Sequence, residues 1–394
     1  MSTGKKLTSV LEKVVRLRER VERCFSDIRT APTIPLSEII LTLCLMPLLE
    51  VKSLLRLDAA TRVTDMKRLF GKASLGLRQL CSDSTMQRVL RWLVPEEASR
   101  FLFSLLRVLR RQDADGLHLV PGGPKRRIVV GDGSVMGNHH VVAYALIADG
   151  GTYPCMIEGT PGRGHELKRA KEMVHRLPAR FPKRHAPQLL LYDYLGFTTA
   201  MFRAARTAGM HILVKGGDSH FRGLINDARL LFDVDDPDAE GQSSSFDEQR
   251  LSSWELEETS GTFADYPVRV ARLVEYASKG DNRDVPRVSW IVTTDFSLSR
   301  RELREAAHVR WSIENNVFKR LSGTVATKRF HFKEQQPFIT MLRIVCAAIV
   351  AYDVLSFMMD RLSAGRKGWI GPMKLTYGVV FAAIYTLLED SCLA

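Results

Sequence analysis

Three acids in this chain stand where carboxylates could act together. Asp132 follows a β-branched run in "RRIVVGDGS", Asp193 follows a continuously apolar one in "QLLLYDYLGF", and Glu314 lies in "RWSIENNVFKRL". Two carboxylates brought within a few ångströms repel, so they need a cation between them or one must keep its proton. An oxygen-only donor set of this kind suits Mg²⁺ or Mn²⁺. Glu314 is unusual in its company: Arg310 lies one turn before it, and Lys319 and Arg320 follow. Two readings stay open at this point. Arg310 and Glu314 form an ordinary i,i+4 ion pair, or Glu314 binds a metal while its basic neighbours hold a phosphate backbone. Asp132 as a plain turn residue and Asp193 as a helix N-cap are the corresponding bland alternatives.

The elements that would position these acids follow from periodicity. Residues 1 to about 120 read as a helical region, including a basic first helix, a second from "PLSEIILTLCL" and a Ser-capped "SDSTMQRVLRWL". Pro121–Gly122–Gly123–Pro124 breaks the chain. "RRIVVGD", "HVVAYALIA" and "TYPCMIE" then read as strands, separated by the turns "DGSVMGN" and "DGG". Helix "GHELKRAKEMVHRL", buried strand "QLLLYD", helix "TTAMFRAARTAG" and strand "HILVK" complete a β-β-β-α-β-α-β order over 121–232. Turn-linked strands should pair antiparallel, and strands reached through a helix should run parallel to the first. That is the element order of a ribonuclease-H-like α/β core with a mixed five-stranded sheet, the first strand beside the fourth. Residues 233–295 read as a β-rich insertion. Residues 296–394 return to helix, opened by a Ser299–Glu302 capping box. "PFITMLRIVCAAIVAYDVLSFMM" should be a long, buried helix, and "VVFAAIYTLL" another apolar one, too short to span a bilayer.

Other candidates invite plainer explanations. In "NHH", His139 and His140 alternate faces of a strand, so a solvated strand start is expected rather than a metal site. Glu166 fits a first-turn acid favoured by the helix dipole. Trp254 and Trp290 fit core packing. Lys215, at the end of "HILVK", is a candidate phosphate contact, as are Lys328, Arg329 and Lys333 in "TKRFHFK".

Charge points to the partner. The chain of 394 residues carries +13, yet Asp233 to Glu258 holds ten acids against one base. That −9 leaves +22 for the remainder, an excess expected of a protein that meets a polyanion such as double-stranded DNA. The acidic segment should lie away from the DNA path. Six scattered cysteines without a CxxC pair argue against a zinc site or a disulfide framework and fit a reducing cytosol. The basic, amphipathic N-terminus lacks the apolar stretch of a signal peptide, and no membrane segment is expected.

Taken in order, "GDGS", "LYDYLGF" with its following helix and "ILVK" strand, and "RWSIENNVFKRL" resemble the DDE transposases of bacterial insertion sequences, in the cut-and-paste group whose core is interrupted by a β-strand insertion. The resemblance covers roughly residues 126–360. It implies that Asp132, Asp193 and Glu314 bind two divalent metals, that Arg310 and Asn315 support the glutamate helix, and that the protein acts as a homodimer or larger assembly on DNA. Many relatives carry a Y-x2-R-x3-E-x6-K spacing; here Arg310 and Glu314 match, whereas the Tyr and Lys positions hold Ala307 and Leu321. Lys319 or Arg320 would then take over the phosphate contact. Two rivals remain: a nuclease on the same core without strand transfer, and a DNA-binding derivative that no longer cuts.

Overall fold

The computed structural model describes residues 15–48, 53–62, 81–111, 115–149, 151–217, 220, 222–232, 237–242, 251–277, 286–324 and 332–364. The N-terminal helices are α1 (Leu17–Cys24), α2 (Leu36–Leu48), α3 (Leu54–Arg62), α4 (Asp83–Trp92) and α5 (Pro95–Arg111). Ser82 caps α4 by accepting from the Thr85 amide, as its sequence predicts. A short ladder of β1 (Leu117–His118) and β2 (Lys125–Arg126) spans the Pro–Gly break.

The core then follows as β3 (Ile128–Met136), β4 (His139–Ala148), β5 (Gly151–Thr160), α6 (Glu166–Arg180), β6 (Leu189–Asp193), α7 (Thr199–Thr207) and β7 (His211–Gly216). Strands β3, β4 and β5 pair antiparallel; β6 runs parallel to β3, and β7 parallel to β6. This is the pairing expected from the turn and crossover lengths. After α8 (Arg222–Phe232) come β8 (Ala239–Gln242), β9 (Leu251–Phe263), β10 (Tyr266–Ala277) and β11 (Arg287–Thr293).

The expectation of a five-stranded sheet needs correction. Among the described residues nine strands form one sheet, in the order β5-β4-β3-β6-β7-β11-β10-β9-β8. Strand β11 pairs antiparallel with β7, from Leu213↔Thr293 to Gly216↔Trp290. The outer edge of β7 would otherwise present a row of unpaired backbone groups, and the later strands satisfy them. Trp290 and Trp254 are both buried.

The described residues end with α9 (Arg300–Val309), a π-helical turn at Ile313–Phe318, α10 (Lys319–Thr324) and α11 (Gln335–Ala364). The Ser299–Glu302 capping box is present in full. Helix α11 packs against α5, α2 and β5. Its span Gln335–Val354 is long and apolar enough to cross a membrane, but 94% of its most apolar window is buried inside the protein. "VVFAAIYTLL", Lys328 and Arg329 lie outside the described residues.

Candidate active site

Register places the first two acids. The β3–β6 ladder runs Ile128↔Leu189, Val129↔Leu190, Val130↔Leu191, and ends there. Asp132 and Asp193 lie two residues further on each strand, so they occupy matching positions just where the strands part. Residues so matched on neighbouring parallel strands share a face. Asp132 therefore lies mid-strand, since β3 continues to Met136, and not at a strand end as the turn-like "DGS" suggests. The turn comes later, at Gly137, whose φ is +63°.

The glycines flanking Asp132 serve close approach. A Cβ on Gly131 would lie 2.3 Å from the Tyr144 ring and 2.7 Å from that of Tyr192. One on Gly133 would lie 2.1 Å from the carboxyl carbon of Glu166. Glu166, read from sequence as a dipole-compensating acid, therefore sits against the opposite face of β3 from Asp132. The signal that could have found it is the glycine after the aspartate, which leaves room for a carboxylate.

Glu314 arrives on the π-helical turn, where the Lys319 amide donates to the Glu314 carbonyl five residues back. Its side chain is half exposed, and Arg310 Nη2 donates to Glu314 Oε1 at 3.0 Å. The ion-pair reading therefore holds in this conformation. So does the capping reading of Asp193, whose Oδ1 accepts from the Leu195 amide at 3.1 Å. Asp132 Oδ1 accepts from the Gly133 amide at 2.8 Å.

These groups nonetheless feel one another. Burial pushes the Asp132 carboxyl up to about 7; Arg310 opposes the rise, while Asp193 and Glu314 add to it. Asp193 is also raised by burial, with Arg310 opposing and Glu314 adding. Burial and Asp193 raise Glu166, against Arg163 and the Tyr192 hydroxyl. That hydroxyl is buried and, among the described residues, meets no partner at normal hydrogen-bond geometry. Arg310 thus acts on Asp132, Asp193 and Glu314 at once, and His220 adds its charge at Asp193.

The donor chemistry fits a hard divalent cation: three carboxylates, Asp132, Asp193 and Glu314, of which the buried Asp132 ionises with difficulty on its own. Their spacing in this conformation is looser than a formed metal site. Among the described residues, no three His, Cys, Asp or Glu side chains are gathered closely enough to hold one ion.

The other sequence candidates divide. Lys215 is buried, 5.6 Å from the Trp311 ring. Lys319 is exposed and lines a cleft of about 380 Å³ with Asn315, Asn316 and Thr152. Arg320, on the same cleft, is committed to a two-pronged pair with Asp353 at 2.7 Å on each arm. Lys333 is exposed in the turn before α11. Ala307 and Leu321 are fully buried. His139 overturns the solvated-strand expectation: it is buried, its Nε2 is 2.8 Å from the Phe332 carbonyl, and its ring packs on Phe338.

No protein-family model matches the chain, and no curated protein matches it. Among solved structures it is similar to a piggyBac transposase in a cryo-EM synaptic complex with hairpin DNA, at 10% identity over 99% of this chain and 81% of that chain, with a TM-score of 0.40. A likeness at that score carries no argument about this chain.

Proposed function

We propose that the protein is a DDE-type DNA transposase with a ribonuclease-H-like core, which cuts DNA at element ends and joins them to a target. The observation that supports this most is the matched register of Asp132 and Asp193 at the parting of β3 and β6, with Glu314 near enough to raise both carboxyls. In this reading Asp132, Asp193 and Glu314 hold Mg²⁺ or Mn²⁺, with Arg310 giving up its contact to Glu314 as the site fills. When bound, such ions activate a water and stabilise a leaving 3′ oxygen. The chain's own residues orient the backbone, exclude water and supply positive charge to phosphates. Arg310, Lys319 and Lys333 are the exposed or site-facing cations for that task; Arg320 serves instead to anchor α10 to α11 through Asp353. Because the Tyr and Lys positions of many relatives hold the buried Ala307 and Leu321, a hairpin step relying on those groups forms no part of the proposal. Function as a homodimer or larger assembly on DNA, in a bacterial cytoplasm, belongs to the same proposal.

The test is Glu314→Gln, which keeps the shape and removes a charge. Cleavage in Mg²⁺ should fall by at least about a hundredfold, the scale of several kcal/mol of charge stabilisation, while DNA binding in Ca²⁺ stays within about twofold. Full cleavage by this variant removes Glu314 from the chemistry. Cut ends without joined products from the parent protein would make it a nuclease; binding without cutting, an inactive derivative.

A further inference from the structure

A second cluster beside the acids has the opposite sign. Lys215 pairs in register with Asp193 on the neighbouring parallel strand, so its side chain leaves the same face of the sheet as the acids. It is 8% exposed, and among the described residues its ammonium makes no hydrogen bond or ion pair. The Trp311 ring, 36% exposed, has three cations around it. Arg287 lies 4.3 Å from its centroid, Lys215 5.6 Å and Arg310 5.9 Å. Cation–π attraction lets like charges converge on one indole. One buried acid, Glu275, offsets part of this charge: its Oε1 is engaged by His308 at 2.6 Å and Arg304 at 3.3 Å, and its field favours the Lys215 ammonium. Lys215, Arg287 and Arg310 around the indole, with Arg304 and His308 on Glu275, outnumber that one carboxylate, and such an excess of positive charge is costly unless a further anion completes the site.

We propose that Lys215, Arg287 and Trp311 form a subsite for one backbone phosphate of the DNA strand that runs past the acids. This rests on the transposase reading and extends it to two residues, Arg287 and Trp311, not singled out by sequence as phosphate contacts. Lys215 provides a point charge from within the sheet, and Arg287 a planar fork from the start of β11. The indole holds both in place and excludes water from one side. Adjacency to Asp193 places the bound phosphate next to the acids, so the strand is gripped at the step beside the one to be cut.

The experiment measures DNA affinity of the full chain against salt in Ca²⁺, for the parent, Lys215→Met, Arg287→Gln and the double variant. Met fills the buried space of Lys215 without its charge, and Arg287, being exposed, tolerates substitution if Lys215→Met does not fold. Each loss should reduce the slope of log affinity against log salt by roughly one unit, and the double variant by roughly two. Undiminished slopes with DNA binding intact overturn the subsite. Failure of the parent to bind DNA overturns the transposase reading instead. Inorganic phosphate then decides: a Tm rise in the parent that the double variant lacks upholds a phosphate site, and equal behaviour of the two overturns it.

Discussion

Acids in the inner and outer parts of the sheet live under different rules. On and beside the outer strands, three acids have arginine partners: Glu257 pairs with Arg272 at 2.5 Å, Glu258 with both Arg269 and Arg300, and Asp238 with Arg300 at 3.3 Å. Three of the ten acids that sequence assigns to this region are thereby offset within the protein, by arginines of strand β10 and the first turn of α9. Around the parting of β3 and β6, Asp132, Asp193 and Glu314 all feel the guanidinium of Arg310, and among the described residues Glu166 stands close by without an ion pair of its own. Outer acids hold the sheet together. Inner ones are held near one another although they repel.

The sharpest way to break this contrast is pH. Asp132 has a folded value of about 7, above its ordinary 3.8, so the native state binds its proton more tightly than the unfolded chain does. Stability should therefore fall as pH rises from about 4 to about 7 and level off above, by at most about 4 kcal/mol from this one group. Asp132→Asn should remove that fall, raising Tm at pH 8 and changing little at pH 4. Saturating Mn²⁺ should raise the parent's Tm more at pH 8 than at pH 5. A flat parental profile would place Asp132 under the same rules as the outer acids.

Glu258→Gln should do the reverse. It breaks charge-assisted bonds to Arg269 and Arg300, and should lower stability by about 1–3 kcal/mol in thermal or urea unfolding while leaving cleavage alone. A stabilised Glu258→Gln would show that its arginines are burdens and not partners. The smallest effect is expected from Glu166→Gln. This acid is partly exposed, so the relief should be under about 1 kcal/mol. Its sign should nonetheless match Asp132→Asn, since both unload the same cluster. A clear destabilisation would give Glu166 a purely structural part beneath Gly133.

Sequence makes the core legible where signals are local. The apolar run before Asp193 and the turn-linked strands after Arg126 fix both element order and strand direction, and with them the meeting of two acids. What pairs with the free edge of β7 has no local signature, because backbone groups pair regardless of side chain; hence nine strands where five are expected. Glu166 is hidden for a related reason. It is 33 residues from Gly133 in sequence and reaches the site from the other face, so only the missing side chain at 133 hints at it. "GDG" reads as a turn because glycine favours turns, yet here both glycines lie in an extended strand and make room for neighbours. The segment around Glu314 is compatible with an ordinary helix, and its sequence does not betray the wider turn.

That wider turn has a consequence for how the gene can change. A π turn holds one residue more than the α-helix it interrupts, and each residue on a helix accounts for about 100° of rotation. Substitutions within Ile313–Phe318 leave the count intact. Removal of a single residue there would let the segment relax into an α-helix and turn Glu314 away from Asp132 and Asp193, while Arg320 stays fastened to Asp353 downstream. The six-residue stretch behaves as a spacer whose length is under tighter constraint than its letters: a variant library would find it permissive to replacement and closed to deletion.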